Sequence, residues 1–522
     1  MISTAQTGYD LFPPGVARPT VVGNFLLFIA CFVFGSTTAY ATDSRTIERM
    51  IEATEVDGQK LDQEQREDQR KLGKLYYHRF CIHCHGAQGK GDGSTAAYLS
   101  PSPRDLSLGL FKFRSTSSNT LPLDQDLIKT IKRGIPGSAM PAWDGVFEED
   151  VVRALVEYIK LFSSRFQFAS PDFIFESGLQ PPYNALSVET GQRLYRELRC
   201  VRCHGEKGEK HGEVVPGNDI HHALVYDLRK PGFYKAGASA KEIVNTLATG
   251  MDGTPMSAYD YLADEERWHL AHFLQSRFIQ APSDAPVATL AGEIVSTRVQ
   301  EHLDIKFSNS IWTKANKVDV PLFGFKARQF PRKMLTVQSV HNEKKIAFKL
   351  TWKDLSANKR ISADDFYLDS VALQFPMVPS SLLELPFWGM GEKGKPVNIW
   401  HWKADGRQFV GEESGRSIPA STKGNSSALD PFRESAVEEI NAAGFGTLSV
   451  QTLEDQQLEG QGRWVRGQWE VIFLRDLKTS SPNDAGFESP GNSYFSLALW
   501  DGRKLDRNAS KRISLWQKLI LR

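Results

Sequence analysis

The side chains best equipped for chemistry fall in two short matching patterns, Cys81-Ile-His-Cys84-His85 and Cys200-Val-Arg-Cys203-His204. Two thiols at this spacing, on a tight turn or helix start, can form thioethers with the two vinyl groups on one edge of a porphyrin. The adjacent histidine then lies beneath the ring with an imidazole nitrogen directed at iron. Such a tether lets a small domain hold its haem while burying little else. A redox dithiol does not need the histidine, and a zinc site needs two more ligands, which only a union of the two patterns could supply. The spacing therefore predicts two covalently attached c-type haems. One is expected on Cys81 and Cys84 with His85 as iron ligand, the other on Cys200 and Cys203 with His204.

Haem iron in an electron carrier takes a sixth ligand, and a methionine thioether raises the potential by favouring the ferrous state. The chain has eight methionines, so the candidates can be weighed one by one. Met140 lies 55 residues beyond His85 in Gly-Ile-Pro-Gly-Ser-Ala-Met-Pro, and Met256 lies 52 beyond His204 in Gly-Met-Asp-Gly-Thr-Pro-Met-Ser. Glycine and proline around a methionine describe a loop that can fold over the open face of the ring. A core methionine on a helix fits poorly among so many helix breakers. Met140 and Met256 are thus the expected ligands. Met251 is the rival for the second, with His211, His221 and His222 behind it.

The elements that must position these groups recur as a pair. The first segment runs CIHCHGAQGKGDG at 81–93, KTIKRGIPGSAMPAWDG at 129–145 and EEDVVRALVEYIKLF at 148–162. The second runs CVRCHGEKGEKHG at 200–212, NTLATGMDGTPMSAYDY at 245–261 and DEERWHLAHFLQSRF at 264–278. The offsets nearly agree (200 − 81 = 119 for the cysteines, 256 − 140 = 116 for the methionines), so a small, mostly helical unit is duplicated. Tyr77 and Phe80, and Leu194, Tyr195 and Leu198, give the helix before each motif an apolar face. Val152, Leu155, Val156 and Ile159 in one closing helix, and Trp268, Leu270, His272 and Phe273 in the other, are expected to pack against it. Pro-containing stretches, Ala169 to Tyr183 and Ala281 to Pro286, end the two copies.

With these parts assembled, residues 70–165 and 187–280 resemble class I cytochrome c domains: a CxxCH near the first helix, a Gly-rich stretch, a Met loop and a closing amphipathic helix. The second copy departs in its Gly-rich stretch, GEKGEKHG for GKGDG.

Beyond residue 287 the texture changes. Ile346, Phe348, Leu350 and Trp352 alternate with other side chains, as do Val371, Leu373 and Phe375, then Val471 and Phe473, then Phe495, Leu497 and Leu499, then Ile513, Leu515 and Leu519. Period-two alternation bounded by Gly, Pro, Asn and Asp predicts half-buried antiparallel strands. Trp388, Trp400, Trp402, Trp464, Trp469 and Trp500 are mostly accounted for as sandwich core. Three stretches, DSVALQFPM (369–377), PFWGMGEKGKPVNIWHWKAD (386–405) and FSLALWDGRKLDRNASKRISLW (495–516), resemble the haem-binding domain of the ethylbenzene dehydrogenase gamma subunit and related subunits of dimethyl sulfoxide reductase-family molybdenum enzymes. That resemblance implies a β-sandwich enclosing one non-covalent haem b, held by a methionine and a lysine that map onto Met390 and Lys511. A lysine binds iron only as the neutral amine, so Lys511 must be buried. Lys504 and Met377 are the competing residues, and His401 is expected beside the pocket. Ala509 and Ser510 stand where the family tends to have a glycine-containing turn.

The fold expected is therefore multidomain: two all-α cytochrome c domains followed by a mainly-β sandwich over 288–522. Lys plus Arg (63) nearly cancel Asp plus Glu (62), which gives no footprint for nucleic acid, and five cysteines exclude a disulfide scaffold. The apolar run Phe25 to Phe34, followed by Ala39-Tyr40-Ala41, reads as an export signal over 1–41, with an uncleaved membrane anchor as the alternative and no polytopic membrane segment. Cys31 falls within it; residues 42–69 read as a charged helix or linker. The whole describes a periplasmic electron-transfer protein rather than an enzyme. The resemblance implies molybdopterin and iron–sulfur partner subunits and exchange with a soluble cytochrome or the respiratory chain. A dihaem peroxidase or thiosulfate-oxidising cytochrome, and a haem-free β docking module, are the alternatives.

Overall fold

The computed structural model describes residues 64–169, 175–210, 214–215, 223–279, 293–326, 332–359, 367–378, 381–404 and 436–522. The expected signal over 1–41, the charged stretch as far as residue 63, and His211, His221 and His222 lie outside these residues. From Asp68 onward the described residues belong to one compact unit, and everything below concerns it.

Two helical domains come first. In the first, a helix over 68–76 runs into a π-helical turn, Tyr77–Cys81, and the short helix Ile82–His85; the helices Asp124–Arg133 and Glu149–Lys160 follow. The second repeats the plan with Ala185–Glu197, Val201–His204, Ala240–Thr249 and Asp264–Ser276. Local signals set the boundaries. Asn184 accepts a hydrogen bond from the Ser187 amide, and Ser239 and Glu242 form a reciprocal capping box. Glu149 and Asp150, and Asp264 to Glu266, put negative charge at the positive ends of the closing helices. Each closing helix crosses the first helix of its domain at a glycine. A Cβ on Gly73 would lie 2.0 Å from the Ala154 carbonyl oxygen, and one on Gly191 would lie 2.0 Å from that of His269. The expected apolar faces are buried there: Tyr77, Phe80, Val152, Leu155 and Val156 in one domain, and Leu194, Tyr195, Trp268, Leu270 and Phe273 in the other.

The remainder is a β-sandwich. One sheet carries, in antiparallel order, Ser449–Val450, Val437–Ala442, Val397–Lys403, Ser370–Pro376 and the second half of Gly491–Trp500. The other carries Glu459–Val465, Gln468–Asp476, Lys345–Lys353, Lys333–His341 and Val318–Gly324. Arg512–Ile513 bridges them by pairing with both Gly491–Trp500 and Val318–Gly324. The inner layer takes one face of each: Val371, Leu373 and Phe375 meet Phe348, Leu350 and Phe473, with Trp400, Trp402 and Trp469 filling the width.

Two expectations need correction. Ser370–Pro376 is buried along its whole length, because its second face (Ala372) joins a separate apolar cluster shared with the first helical domain. The alternation Ile513, Leu515, Leu519 is not one strand. Arg512–Ile513 and Gln517–Leu521 are separate strands, and Ile513 and Leu515 face that shared cluster whereas Leu519 faces the sandwich interior. Trp388 and Trp500 likewise belong to the shared cluster rather than to the sandwich core.

Candidate haem sites

In the first domain the π-helical turn brings Cys81 and Cys84 onto one apolar cluster together with Ile82 and Met140. Both cysteines are unpaired thiols. Burial, with a contribution from Cys84, pushes the Cys81 thiol up to about 12, and burial raises Cys84 as well. Burial also lowers the His85 imidazole, opposed by the nearby Arg104 backbone, and its Nδ1 is buried without completing a hydrogen bond. Neutral thiols can add to vinyl groups, and a neutral imidazole keeps a lone pair for iron. The turn is fixed by Tyr77, whose hydroxyl donates to the Gly86 carbonyl at 2.7 Å, and by Thr95, whose hydroxyl donates to the His83 carbonyl at 2.7 Å.

The second domain repeats the tyrosine bond and the burial of its motif. The Tyr195 hydroxyl donates to the Gly205 carbonyl at 2.9 Å, burial raises Cys200 to about 11, and burial lowers His204 to about 4. His204 Nδ1 is also buried and unpartnered. The methionine loops superimpose in pattern. The Ile135 amide donates to the Met140 carbonyl (3.1 Å) and the Met251 amide to the Met256 carbonyl (2.9 Å). The Met140 amide donates to Ser138 Oγ and the Met256 amide to Thr254 Oγ1, both at 3.2 Å. Met251 therefore occupies the place of Ile135, and Met256, which packs with Cys200 and Val201, occupies the place of Met140.

The β domain brings Met390 and Lys511 to the shared cluster. Met390 is buried at φ +88°, between Gly389 and Gly391, and its carbonyl accepts from the Gly444 amide at 2.8 Å. A left-handed methionine costs on the order of 1–3 kcal/mol, and such strain collects at functional positions. The next residue, Phe445, lies 5.6 Å from the Lys511 ammonium, which also sits 5.2 Å from the Trp500 ring. Lys511 is 4% exposed, and burial lowers its amine to about 7, so the neutral form is accessible near neutrality. Lys504 instead pairs with Asp501 at the surface, half exposed, and Met377 accepts from Asn441 outside the cluster. Asn508 at φ +53° makes the turn before Lys511, supplying the left-handed residue expected of a glycine at Ala509 or Ser510. His401 stacks obliquely on Trp500, beside Lys511, and pairs with Glu438 at 3.0 Å. Trp388 has a buried indole N–H without a hydrogen-bond partner. A thioether, a neutral amine, an orphaned donor and flat aromatic walls fit a haem.

Sequence reasoning missed the residues that join these sites. Glu392 accepts from Arg79 Nη1 at 2.7 Å and pairs with His83 Nε2 at 2.9 Å. His83 stacks on Phe387 at 4.2 Å between centroids, and Tyr98 stacks on Phe445 at 4.8 Å. Burial alone would raise the Glu392 carboxyl, but hydrogen bonds from His83 and Arg79 and the Arg79 charge hold it at about 2. Between the helical domains, the fully buried Arg114 guanidinium donates to Asp252 Oδ1 at 2.9 Å, and Lys129 and Arg133 meet Glu242 at 2.9 Å.

The class these features define is a cytochrome with two c-type helical domains and an attached β-sandwich domain. Comparison with known families supports this class. Residues 68–159 match the profile described as cytochrome C oxidase, cbb3-type, subunit III, 188–277 match cytochrome c, and 309–512 match ethylbenzene dehydrogenase. The chain thus comprises two cytochrome c domains and an ethylbenzene dehydrogenase-family domain. It is 25% identical over 214 residues to a putative respiratory nitrate reductase heme subunit of Haloferax mediterranei, covering 40% of this chain and 65% of that one. It is 28% identical over 185 residues to the chlorate reductase subunit gamma of Ideonella dechloratans, covering 35% and 63%. The matches span just under two thirds of these relatives' own lengths. Among solved structures, a reducing HAO-like protein complex of Kuenenia stuttgartiensis is 33% identical over 40% of this chain and 96% of that one, at TM-score 0.38. Among the described residues, no helix is long and apolar enough to cross a membrane.

Proposed function

We propose that the protein is a periplasmic electron-transfer subunit with two covalent c haems and one non-covalent b haem, working with a molybdopterin oxidoreductase and its iron–sulfur subunit. Cys81 and Cys84 would carry the first c haem, with His85 and Met140 on its iron; Cys200 and Cys203 would carry the second, with His204 and Met256. Met390 and Lys511 would hold the b haem. Bound there, each haem supplies reversible one-electron chemistry. The protein's part would be to supply the two ligands named for each iron, with burial favouring the neutral imidazoles and the neutral Lys511 amine.

The observation that carries this reading is that Met390 lies in one continuous apolar cluster with Cys81, Cys84 and Met140, and Lys511 is buried against Phe445 and Trp500 on its edge. The sites stand in series: β domain against first helical domain, first helical domain against second. Electrons entering at the Met390–Lys511 site have the first CxxCH site as neighbour, and the second CxxCH domain offers the exit, or the reverse. The relatives named as a nitrate reductase haem subunit and a chlorate reductase gamma subunit support the molybdoenzyme partner. A soluble cytochrome or respiratory complex would take the far end.

Pyridine haemochrome analysis of the purified holoprotein tests the reading. Two haems resistant to acid–acetone extraction and one extractable haem are expected; two covalent haems and no extractable one would remove the b site from the proposal. Ferrous protein that binds carbon monoxide without denaturation would favour a catalytic cytochrome instead.

A further inference from the structure

The contact between the first helical domain and the β domain is built from residues that flank the candidate ligands without being ligands themselves. Arg79 and His83 lie on either side of Cys81, His83 inside the CxxCH motif; Glu392 follows Met390 by two positions, and Phe387 precedes it by three. Each oxygen of the Glu392 carboxylate is engaged separately, Oε1 by Arg79 at 2.7 Å and Oε2 by His83 at 2.9 Å, and all three side chains are less than a fifth exposed. The imidazole of His83 simultaneously lies flat on Phe387, with an interplanar angle of 26°. Two donors on one turn, meeting two oxygens of one carboxylate, fix rotation as well as distance, which a single ion pair does not. The loop needs such an external hold. Met390 occupies a left-handed conformation that persists only where its surroundings over-determine it. Beyond it, Glu392 and Lys395 exchange backbone hydrogen bonds at 3.2 and 2.9 Å, a small closed turn that places the carboxylate rigidly relative to Met390.

We propose that Glu392 is a positioning residue that couples the Met390–Lys511 site to the first CxxCH site: through Arg79 and His83 it clamps the strained Met390 loop to the turn carrying Cys81 and Cys84, and so sets the contact across which the two centres exchange electrons. The proposal rests on the electron-transfer reading above.

The test uses the full-length holoprotein and the variants Glu392→Ala, Glu392→Gln and Arg79→Gln, the last breaking the clamp from the opposite domain. Haem content and midpoint potentials are measured first, then hydrogen exchange of the 387–395 backbone, then redistribution of an electron between b and c haems after flash reduction. The expected result for Glu392→Ala and Arg79→Gln is three retained haems, faster exchange over 387–395, and redistribution slowed about fivefold or more. Glu392→Gln, which keeps an acceptor for Arg79, should fall between. If Glu392→Ala fails to retain haem b, Arg79→Gln decides: slowing supports the clamp and wild-type kinetics overturn it. Unchanged exchange and redistribution in both Glu392→Ala and Arg79→Gln overturn it as well. A wild-type protein without extractable haem would sink the electron-transfer reading itself, a result seen before any variant is made.

Discussion

Lys511 illustrates how burial turns an ordinary surface cation into a group able to meet a metal. Its amine, lowered to about 7, loses its proton at small cost, whereas Lys504 seven residues earlier stays in water beside Asp501. Replacing Lys511 with alanine should therefore abolish extractable haem while leaving the covalent haems in place, and Lys504→Ala should change neither; separate counts of extractable and covalent haem decide it. The two CxxCH motifs and their methionine loops were legible in the sequence because each is local: thiols, imidazole and loop breakers lie within a short run. Glu392 was not. Its partners His83 and Arg79 are 309 and 313 positions away, and no spacing rule reaches that far. Met256 was favoured over Met251 in the sequence, and the backbone bond from Met251 to Met256, repeated from Ile135 to Met140, gives Met256 the loop position of Met140.

At the scale of elements, the duplicated unit depends on how closely two helices approach. Gly73 and Gly191 sit 118 residues apart (191 − 73), one short of the 119 that separates the haem motifs, and each faces a carbonyl of the closing helix. An alanine at either must push the crossing helices apart, so Gly73→Ala and Gly191→Ala should each cost about 1–3 kcal/mol, read as a shift in denaturation midpoint. The same crossing in the second domain holds a polar chain. Gln180 Nε2 lies 3.3 Å from His272 Nε2, and Ser187 Oγ lies 2.7 Å from both His272 Nδ1 and His269 Nδ1, with Glu265 3.7 Å from His269. One consistent assignment has Gln180 donating to His272, His272 to Ser187 and Ser187 to His269. Burial, and then the neighbouring His269, lowers His272, so the unfolded chain takes the proton first. Stability is therefore present above the unfolded value of about 6.5 and falls as pH drops through it, by at most about 1.4 kcal/mol per pH unit for one proton. Unfolding measured at about pH 7 and about pH 5 should show this loss in wild type and less of it in His272→Gln. Strand content was readable from period-two alternation wherever one face meets the sandwich interior. What it did not show was the burial of both faces of Ser370–Pro376 and the break between Ile513 and Leu519, where a second apolar cluster covers what would otherwise be a solvent face.

For the whole molecule, the order of the three sites is set by two interfaces of different character, and they should fail differently. The β domain meets the first helical domain through the Glu392 clamp and aromatic stacking. The two helical domains meet through Arg114, whose guanidinium is fully buried and donates to the Thr249 carbonyl at 2.7 Å as well as to Asp252. Asp252 in turn accepts from the Asn119 amide at 2.9 Å and Ser118 at 3.0 Å, so the pair is hydrogen-bonded on both sides. Lys129 and Arg133 with Glu242 lie nearer the rim, at 56%, 37% and 24% side-chain exposure, where ion pairs contribute about 0–1 kcal/mol and are screened by salt. Removing one partner of the buried pair leaves the other charge uncompensated, at about 3–5 kcal/mol. Arg114→Ala should accordingly slow electron exchange between the two c haems while b-to-first-c exchange keeps its wild-type rate, and added salt should not reproduce the effect in the unmodified protein. Lys129→Ala should leave both rates unchanged. If Arg114→Ala slows both steps equally, the first domain does not stand between the other two as an independent relay, and the serial arrangement fails.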